Sequence, residues 1–210
     1  KEHNFLVGIS IDGPRAMHDT YRTDKGGAPT FDRVMRGLSH LQQYGVEWNA
    51  LVTLNRSNAE HPLEVYRFLR DECQARFIQF IPIVERLHEN GVPFGTAVTD
   101  RSITAQQYGQ FLIAVFEEWV RHDIASVYVQ MFDVALANWY GEPSGLCVFS
   151  KICGTALALE HNGDVYSCDH FVEPAFKLGH IQETHLLELV SSEQQLTFGR
   201  DKYDALPQYC

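Results

Sequence analysis

Three of the chain's five cysteines lie close together in the sequence. Cys147, Cys153 and Cys168 follow the spacing C-x5-C-x14-C, and Cys210 comes after 41 further intervening residues. Thiolates bind zinc and iron–sulfur clusters, and both kinds of site usually take four protein ligands. The sequence therefore predicts a metal centre to which these three thiols contribute and which a further ligand completes.

Two other interpretations of the cysteines stay open at this level. A free cysteine often packs as a small apolar residue, and we expect this of Cys73, which ends a predicted helix and has no cysteine nearby in the sequence. Zinc is an alternative metal, although zinc sites favour pairs spaced C-x2–4-C and the chain contains none. The spacing alone does not choose the metal.

Polar residues stand directly after the third cysteine. Asp169 and His170 follow Cys168, so a carboxylate would lie next to the metal. A carboxylate within hydrogen-bond reach of a substrate can accept its proton, which makes Asp169 the candidate for acid–base work. Its alternative role is a hydrogen bond to nearby backbone amides, and we expect His170 to orient or pack.

Alternating strands and helices precede this region. Apolar runs predict strands at Phe5–Ile11, Val46–Asn55, Phe77–Val84 and Val127–Phe132, the first of them buried on both faces. Helical spacing predicts helices at Phe31–Tyr44 with Thr30 as N-cap and Gly45 as its end, at Pro62–Cys73, and at Ile103–His122 with Thr104 as cap. This alternation indicates parallel strands with crossover helices, hence an α/β sheet or barrel.

Polar residues also stand where ligands bind in α/β proteins, at the carboxyl ends of strands. Ser10 and Asp12 end the first strand, and Arg22 offers a planar cation suited to a carboxylate. Their alternatives are a simple turn and a solvated loop arginine. Asn49 and Gln79 lie inside strands, where they either line a barrel lumen or make structural hydrogen bonds.

Two loops and one boundary complete the predicted organisation. We expect polar loops at Arg15–Pro29 and Glu85–Arg101. From residue 146 the pattern changes to short strands joined at Asn162-Gly163, the strongest hairpin signal. We therefore place a boundary at residues 142–146 and predict domains 1–142 and 143–210.

Composition excludes some partners. The net charge of −10 and the absence of a Lys/Arg cluster argue against nucleic-acid binding. No apolar run approaches the roughly 20 residues that span a bilayer, so we expect no membrane partner. Five cysteines, an odd number, argue against a disulfide framework and for a reducing compartment, the cytoplasm.

Three motifs together resemble the anaerobic sulfatase-maturating enzymes. They are GISIDGP followed by His18-Asp19 and Arg22, CGTALALEHNGDVYSCDHFV at residues 153–172, and LGHI at residues 178–181. Members of that family are radical S-adenosylmethionine (radical SAM) proteins with a C-terminal auxiliary iron–sulfur domain of the SPASM type. The resemblance extends over essentially all 210 residues. It implies the second half of a partial (β/α)6 barrel followed by a small cysteine-rich hairpin domain.

The resemblance also implies roles for single residues. Cys147, Cys153 and Cys168 would bind the first auxiliary [4Fe–4S] cluster with a downstream cysteine, and Cys210 would begin the second. Ser10 would contact the methionine or ribose portion of S-adenosylmethionine, and Arg22 would bind its methionine carboxylate. Asp169 would accept a proton from the substrate. The C-x3-C-x2-C motif of the cluster that cleaves S-adenosylmethionine would lie upstream, so we expect a fragment of a longer protein that is inactive by itself.

The reaction implied is oxidation of a cysteine or serine in a sulfatase to Cα-formylglycine. The sulfatase polypeptide and an electron donor such as flavodoxin or ferredoxin would be partners. Another radical SAM maturase with a SPASM domain is an alternative, and the Asp-His pair after the third cysteine favours the sulfatase class. A non-catalytic, zinc-stabilised binding module is the third hypothesis.

Overall fold

The strands predicted in the first part of the chain form one parallel sheet. The computed structural model describes residues 5–89 and 92–206, without the side chains of residues 88, 89 and 92–96. Its sheet has the order β1-β2-β3-β6 and consists of β1 (Val7–Ser10), β2 (Trp48–Leu54), β3 (Phe77–Pro82) and β6 (Tyr128–Val129). Each neighbouring pair is parallel, which confirms the predicted arrangement.

One face of this sheet is buried and the other is half-exposed. Along β2, Ala50, Val52 and Leu54 are buried, whereas the residues between them are half-buried, and β3 alternates in a similar way. The buried side chains share one apolar core with the helices. Burial of the first strand on both faces is a wrong prediction, because the helices cover one face and leave Phe5 and Leu6 71% and 61% exposed.

Three helices lie where the sequence predicts them. They are α2 (Phe31–Gln43), α3 (Pro62–Arg67) and α4 (Ala105–His122). Thr104 caps α4 in a capping box with Gln107, as its position before the helix suggests. The helix predicted to reach Cys73 changes after α3 into a π-helical turn, Phe68–Glu72. Cys73 itself is fully buried in the core, as expected.

A short helix replaces the first part of the loop predicted after β1. This helix, α1 (Arg15–Tyr21), buries Met17 and His18. Seven residues are too few to form a stable helix without tertiary packing, and the surrounding glycines and charges hide it in the sequence. The loop prediction is therefore wrong for residues 15–21, because burial of two side chains stabilises what local propensity does not.

The start of α2 is capped from α1. Thr30 occupies the N-cap position, but its side chain makes no capping hydrogen bond. Asp19 Oδ1 accepts the backbone N–H groups of Thr30 and Phe31 at 3.0 and 2.9 Å instead. The N-cap position predicted for Thr30 is therefore confirmed, but a carboxylate from the preceding helix, and not the Thr30 side chain, satisfies the free N–H groups.

A hairpin replaces the second predicted loop. Strand β4 (Arg86–Glu89) pairs antiparallel with β5 (Val92–Val98). The sequence has Asn90-Gly91 between these strands, the dipeptide that favours a tight hairpin turn; these two residues lie outside the described part of the chain. The loop predicted over residues 85–101 is therefore wrong, although the Asn90-Gly91 dipeptide in the sequence already favours a hairpin.

Three short antiparallel strands organise the last part of the chain. They are β7 (Ala158–Leu159), β8 (Asp164–Tyr166) and β9 (Lys177–His180), in the order β7-β8-β9. Gly163 has φ of 95°, a value that suits glycine in a tight turn, and the hairpin predicted at Asn162-Gly163 is confirmed. The third strand, β9, was not predicted.

Three helices accompany these elements, α5 (Gln130–Tyr140), α6 (Leu186–Val190) and α7 (Glu193–Asp204). Helix α5 begins directly after β6, so the strand predicted to reach Phe132 is shorter than expected. Contacts divide the chain into two units, residues 1–133 and 134–210. Within the described ranges, none of the helices combines the length and apolarity needed to cross a membrane.

Candidate functional site

A buried carboxylate holds Arg22 at the carboxyl end of the parallel sheet. Asp12, 2% exposed, lies two residues after the end of β1. Arg22 donates from Nε to Asp12 Oδ2 at 2.7 Å and from Nη2 to Asp12 Oδ1 at 3.0 Å. Thr53, on β2, adds its backbone N–H to Asp12 Oδ1 at 2.9 Å and accepts Arg22 Nη2 at its hydroxyl, at 3.0 Å. The guanidinium is therefore fixed in one orientation.

This orientation leaves one edge of the guanidinium available. Within the described residues, Arg22 Nη1 has no hydrogen-bond partner. A cavity of about 170 Å³ opens beside it, and its lining consists of Asp12, Tyr21, Arg22, Thr53, Asn55, Ile83 and Arg101. The two N–H groups of Nη1 are suited to a small carboxylate. The solvated-loop alternative for Arg22 does not describe this paired, half-buried side chain.

His18 supports the pair of Asp12 and Arg22 through hydrogen bonds to the backbone of Asp12 and to the side chain of Thr30. Its Nδ1 accepts the backbone N–H of Asp12 at 3.3 Å, and its Nε2 lies 3.2 Å from Thr30 Oγ1. Because Thr30 Oγ1 donates to the carbonyl of Arg22 at 2.6 Å, His18 must donate from Nε2 and is neutral. Burial is the main cause that lowers the pKa of His18; Asp12 and Asp19 oppose it, and Arg22 adds to it.

Ser10 and the two strand amides lie on the half-exposed face. Ser10 is half-buried at the end of β1 and does not line the cavity beside Arg22. Asn49 and Gln79 line a second cavity of about 390 Å³, and neither side chain has a hydrogen-bond partner among the described residues. This placement fits the lumen-lining interpretation better than the structural hydrogen bond.

Asp133 lines the same second cavity and was missed from the sequence. Burial raises the pKa of its carboxyl group, and Oδ2 has no hydrogen-bond partner among the described residues. The signal available was an isolated acid within the apolar run MFDVALA. That signal does not say which way the side chain points.

The three predicted cysteines line one cavity in the second unit. Cys147 begins a single helical turn, Cys147–Phe149, Cys153 lies in a segment without regular secondary structure, and Cys168 stands two residues after β8. All three contribute to a cavity of about 660 Å³. Its apolar lining includes Val148, Phe171, Phe176 and Phe198. The structure thus brings these thiols together, while Cys73 is buried in the core of the first unit.

Asp169 and His170 form a polar group with Cys168. Asp169 Oδ1 lies 3.3 Å from Cys168 Sγ and 3.1 Å from His170 Nδ1. The hydrogen bond from Cys168 is the main cause that lowers the pKa of Asp169, and His170 adds to it. Burial raises the pKa of the Cys168 thiol. A lowered pKa favours the carboxylate form of Asp169 in the metal-free protein, the form that can accept a proton.

The three thiols at this cavity fit three of the four ligands that an iron–sulfur cluster usually takes. Iron–sulfur clusters are held by cysteine thiolates in surroundings that limit access of water, and three thiols around a largely apolar cavity meet that description. Cys210, which is predicted to bind a second cluster, lies outside the described residues. Geometry alone also allows zinc, because Sγ of Cys168, an oxygen of Asp169 and a ring nitrogen of His170 lie within 4.8 Å of one another.

Comparison with known proteins resolves this ambiguity. Residues 147–210 match the SPASM family, described as an iron–sulfur cluster-binding domain. The chain is 47% identical to a serine-type anaerobic sulfatase-maturating enzyme of Bacteroides thetaiotaomicron, over 100% of the chain and 53% of that relative. It is 32% identical to a cysteine-type enzyme of Clostridium novyi, over 94% of the chain and 52% of the relative.

Solved structures agree with these relatives. The structure of anSMEcpe with bound AdoMet and Cp18Cys peptide has a TM-score of 0.86 and 29% identity, covering 100% of this chain and 56% of that one. The structure of anSMEcpe with bound AdoMet has a TM-score of 0.83 and 30% identity, covering 96% of this chain and 54% of that one. The chain is similar to the anaerobic sulfatase-maturating enzymes over at least 94% of its length.

This similarity accounts for each of the two units separately. The parallel sheet with helices on one face is the C-terminal part of the radical SAM barrel, and the cysteine-bearing hairpin belongs to the SPASM domain. The chain spans about half the length of the curated sulfatase-maturating enzymes it matches. The zinc-stabilised module is the weaker hypothesis, because the matched domain is one that binds iron–sulfur clusters.

Acid should destabilise the first unit through His18. The pKa of His18 is lower in the folded protein than in the unfolded chain, so the unfolded chain binds a proton more readily. The contribution of the neutral ring to the free energy of unfolding is therefore complete above about pH 6.5. It declines as the pH falls below that value. One proton changes the free energy of unfolding by at most about 1.4 kcal/mol per pH unit. Urea unfolding measured between pH 7.5 and 5.5 should show a shallower pH slope in His18→Gln than in the parent.

The matched control for this change is His161→Gln. The side chain of His161 is 93% exposed, so its loss should leave the slope unchanged. Equal slopes for the parent and His18→Gln would contradict the assignment of His18 as a neutral buried group.

Cys73 should resist alkylation in the folded, metal-free protein. Burial raises its pKa to about 12, so roughly one thiol in 10⁴ is ionised at pH 8. Exposed Cys147 should react with iodoacetamide at least about 100-fold faster, as followed by peptide mass spectrometry. Both should react at similar rates in guanidinium chloride; rapid native labelling of Cys73 would show that its core position is open.

Proposed function

We propose that the protein oxidises a cysteine or serine of a sulfatase to Cα-formylglycine by radical SAM chemistry. The observation that carries this proposal is the position of Asp169 next to Cys168, at a cavity lined by three thiols. Relatives named for serine-type and cysteine-type sulfatase maturation support the reaction class. A related structure that holds both AdoMet and a peptide supports a polypeptide substrate.

The cysteines would hold the auxiliary clusters. Cys147, Cys153 and Cys168 would supply three of the four ligands of one [4Fe–4S] cluster, and Cys210 would be the first ligand of another. When bound, S-adenosylmethionine would supply the radical that removes hydrogen from the substrate Cβ, and the auxiliary clusters would accept the electron left behind. The remaining ligands would come from segments beyond this chain, which is therefore not expected to be active alone.

Arg22 would bind the methionine carboxylate of S-adenosylmethionine. Its Nε and Nη2 groups are occupied by Asp12 and Thr53, so Nη1 would make this contact without reorientation of the side chain. Ser10, on the same side of the sheet, would contact the methionine or ribose portion. The Asp12 pair reduces the entropy that Arg22 loses on binding, because the guanidinium is already fixed.

Asp169 would accept the proton of the target residue. Loss of a hydrogen atom from Cβ must be accompanied by loss of a proton from the thiol or hydroxyl group for a carbon–heteroatom double bond to form. A carboxylate within hydrogen-bond reach is a suitable acceptor. His170, which lies 3.1 Å from Asp169 Oδ1, would orient this carboxylate.

The partners follow from the reaction. The substrate would be the segment of a sulfatase that carries the target cysteine or serine, and a low-potential electron donor such as flavodoxin or ferredoxin would reduce the upstream cluster. We place the protein in the cytoplasm, because free thiols that bind iron require a reducing compartment.

In a full-length protein that includes segments upstream and downstream of this chain, Asp169→Asn should separate cofactor cleavage from product formation. Asparagine keeps the size of aspartate but cannot accept the proton. Formylglycine should fall by roughly 10²–10⁴-fold, while 5′-deoxyadenosine continues to form; both are measured in one chromatographic assay. Asp201→Asn, which changes another carboxylate at the same cavity, is the control and should retain product. Parent-level product from Asp169→Asn would remove Asp169 from the mechanism.

Arg22→Ala should give the opposite pattern. Loss of the guanidinium should weaken S-adenosylmethionine binding, so that 5′-deoxyadenosine and formylglycine fall together and recover partly at high cofactor concentration. Arg15→Ala is the control, because Arg15 is an exposed neighbour that pairs with Asp32. Thermal unfolding is recorded for each variant, since Asp12 loses its partner in Arg22→Ala. Unchanged cofactor affinity in a folded Arg22→Ala protein would refute this role.

A further inference from the structure

One face of α7 contacts all three cysteine-bearing segments. Its residues Gln195, Phe198, Gly199 and Lys202 recur at the three- and four-residue spacing that aligns side chains on one side of a helix. Lys202 donates from Nζ to the carbonyl of Cys147. The C-terminal end of this helix face therefore contacts the segment of the first cysteine. Residues nearer the N-terminal end of the face contact the segments of the other two cysteines.

Gln195 joins the segments of the second and third cysteines. Its side chain is 1% exposed. Nε2 donates to the carbonyl of Gly154 at 2.7 Å and to the carbonyl of Ser167 at 3.0 Å. Gly154 follows Cys153 and Ser167 precedes Cys168, so a single amide group fixes the backbone next to two thiols that are 15 residues apart in the sequence.

Gly199 brings the Cys153 segment against the helix. Its carbonyl accepts the backbone N–H of Cys153 at 3.2 Å. A Cβ atom at position 199 would lie 2.3 Å from the carbonyl oxygen of Cys153, a distance that no side chain tolerates. Phe198 fills the space beside this contact and packs against Phe171 and Phe176, with ring centroids 5.5 and 5.8 Å away.

The buried amide of Gln195 is only partly satisfied. Within the described residues, Oε1 has no hydrogen-bond partner. A buried unpaired polar atom is unfavourable, so stability alone does not explain a glutamine here. Its two N–H groups have a clear task, because both point to carbonyls that adjoin cysteines.

We propose that Gln195 is a positioning residue for the auxiliary cluster, which holds Cys153 and Cys168 at the separation that their shared cluster requires. The proposal rests on the proposed function, in which these thiols bind one [4Fe–4S] cluster. Gly199 and Lys202 extend the same support to Cys153 and Cys147. Cluster geometry and the hydrogen bonds around its ligands set its spectrum and reduction potential, so a change at Gln195 should alter both.

The test compares Gln195→Leu with the parent in the full-length protein, reconstituted anaerobically with iron and sulfide. Leucine fills the buried space but offers no N–H group to the carbonyls of Gly154 and Ser167. We expect the iron content of Gln195→Leu to fall by about four atoms per chain, the content of one cluster. If the cluster is retained, its electron paramagnetic resonance g-values should change and its midpoint potential should shift. Cleavage of S-adenosylmethionine, which depends on the upstream cluster, should persist.

Gln194→Leu is the matched control. Gln194 is exposed and donates to the carbonyl of Lys177 at 3.3 Å, away from the cysteines, so its iron content, spectrum and potential should equal those of the parent. Gln195→Met is a second variant that keeps an unbranched side chain, and thermal unfolding verifies the fold of each protein.

Each outcome decides the proposal. Folded Gln195→Leu and Gln195→Met proteins with parental iron content, spectrum and potential would overturn it, as would failure of both variants to fold, which would make Gln195 a structural residue. A parent that binds no auxiliary cluster would instead contradict the proposed function. Altered cluster signals in folded variants, with a normal Gln194→Leu control, support the positioning role.

Discussion

Parallel pairing is the constraint on which the first unit depends. Because β1 and β2 run in the same direction and in register, a residue just beyond β1 and a residue near the end of β2 meet at one edge. Asp12 and Thr53 are those residues, and their shared hydrogen bonds determine where Arg22 lies. An antiparallel arrangement would carry these groups to opposite edges and leave a buried carboxylate without its cation.

The second unit solves a different problem, since its strands are too short to organise a site. β7 and β8 contribute two and three residues, and the cysteines themselves lie outside them. Convergence of the thiols therefore depends on hydrogen bonds from one helix to backbone carbonyls, made by Gln195 and Lys202. A site held by such bonds can be shaped before the metal binds, which lowers the ordering entropy that metal binding must overcome.

The sequence predicted what local patterns determine and missed what distant contacts determine. Apolar runs identified β2 and β3, and Asn162-Gly163 identified the hairpin, because both signals act within a few residues. Helix α1 was missed because burial of His18, a tertiary effect, stabilises it. Gln195 was missed for the same reason: its partners are 41 and 28 residues away, and a glutamine on a polar helix gives no local sign of burial.

The pairing of Asp12 with Arg22 is better explained by binding than by stability. Replacing a buried ion pair with apolar residues often leaves a protein equally stable or more so, so the pair is weak evidence of a structural requirement. Its geometry, however, uses three of the five N–H groups of Arg22 and directs Nη1 to the cavity. Neutral His18 completes this arrangement, since a charged ring could not accept the N–H of Asp12. A carboxylate ligand would then meet a cation whose orientation has already been fixed by the fold.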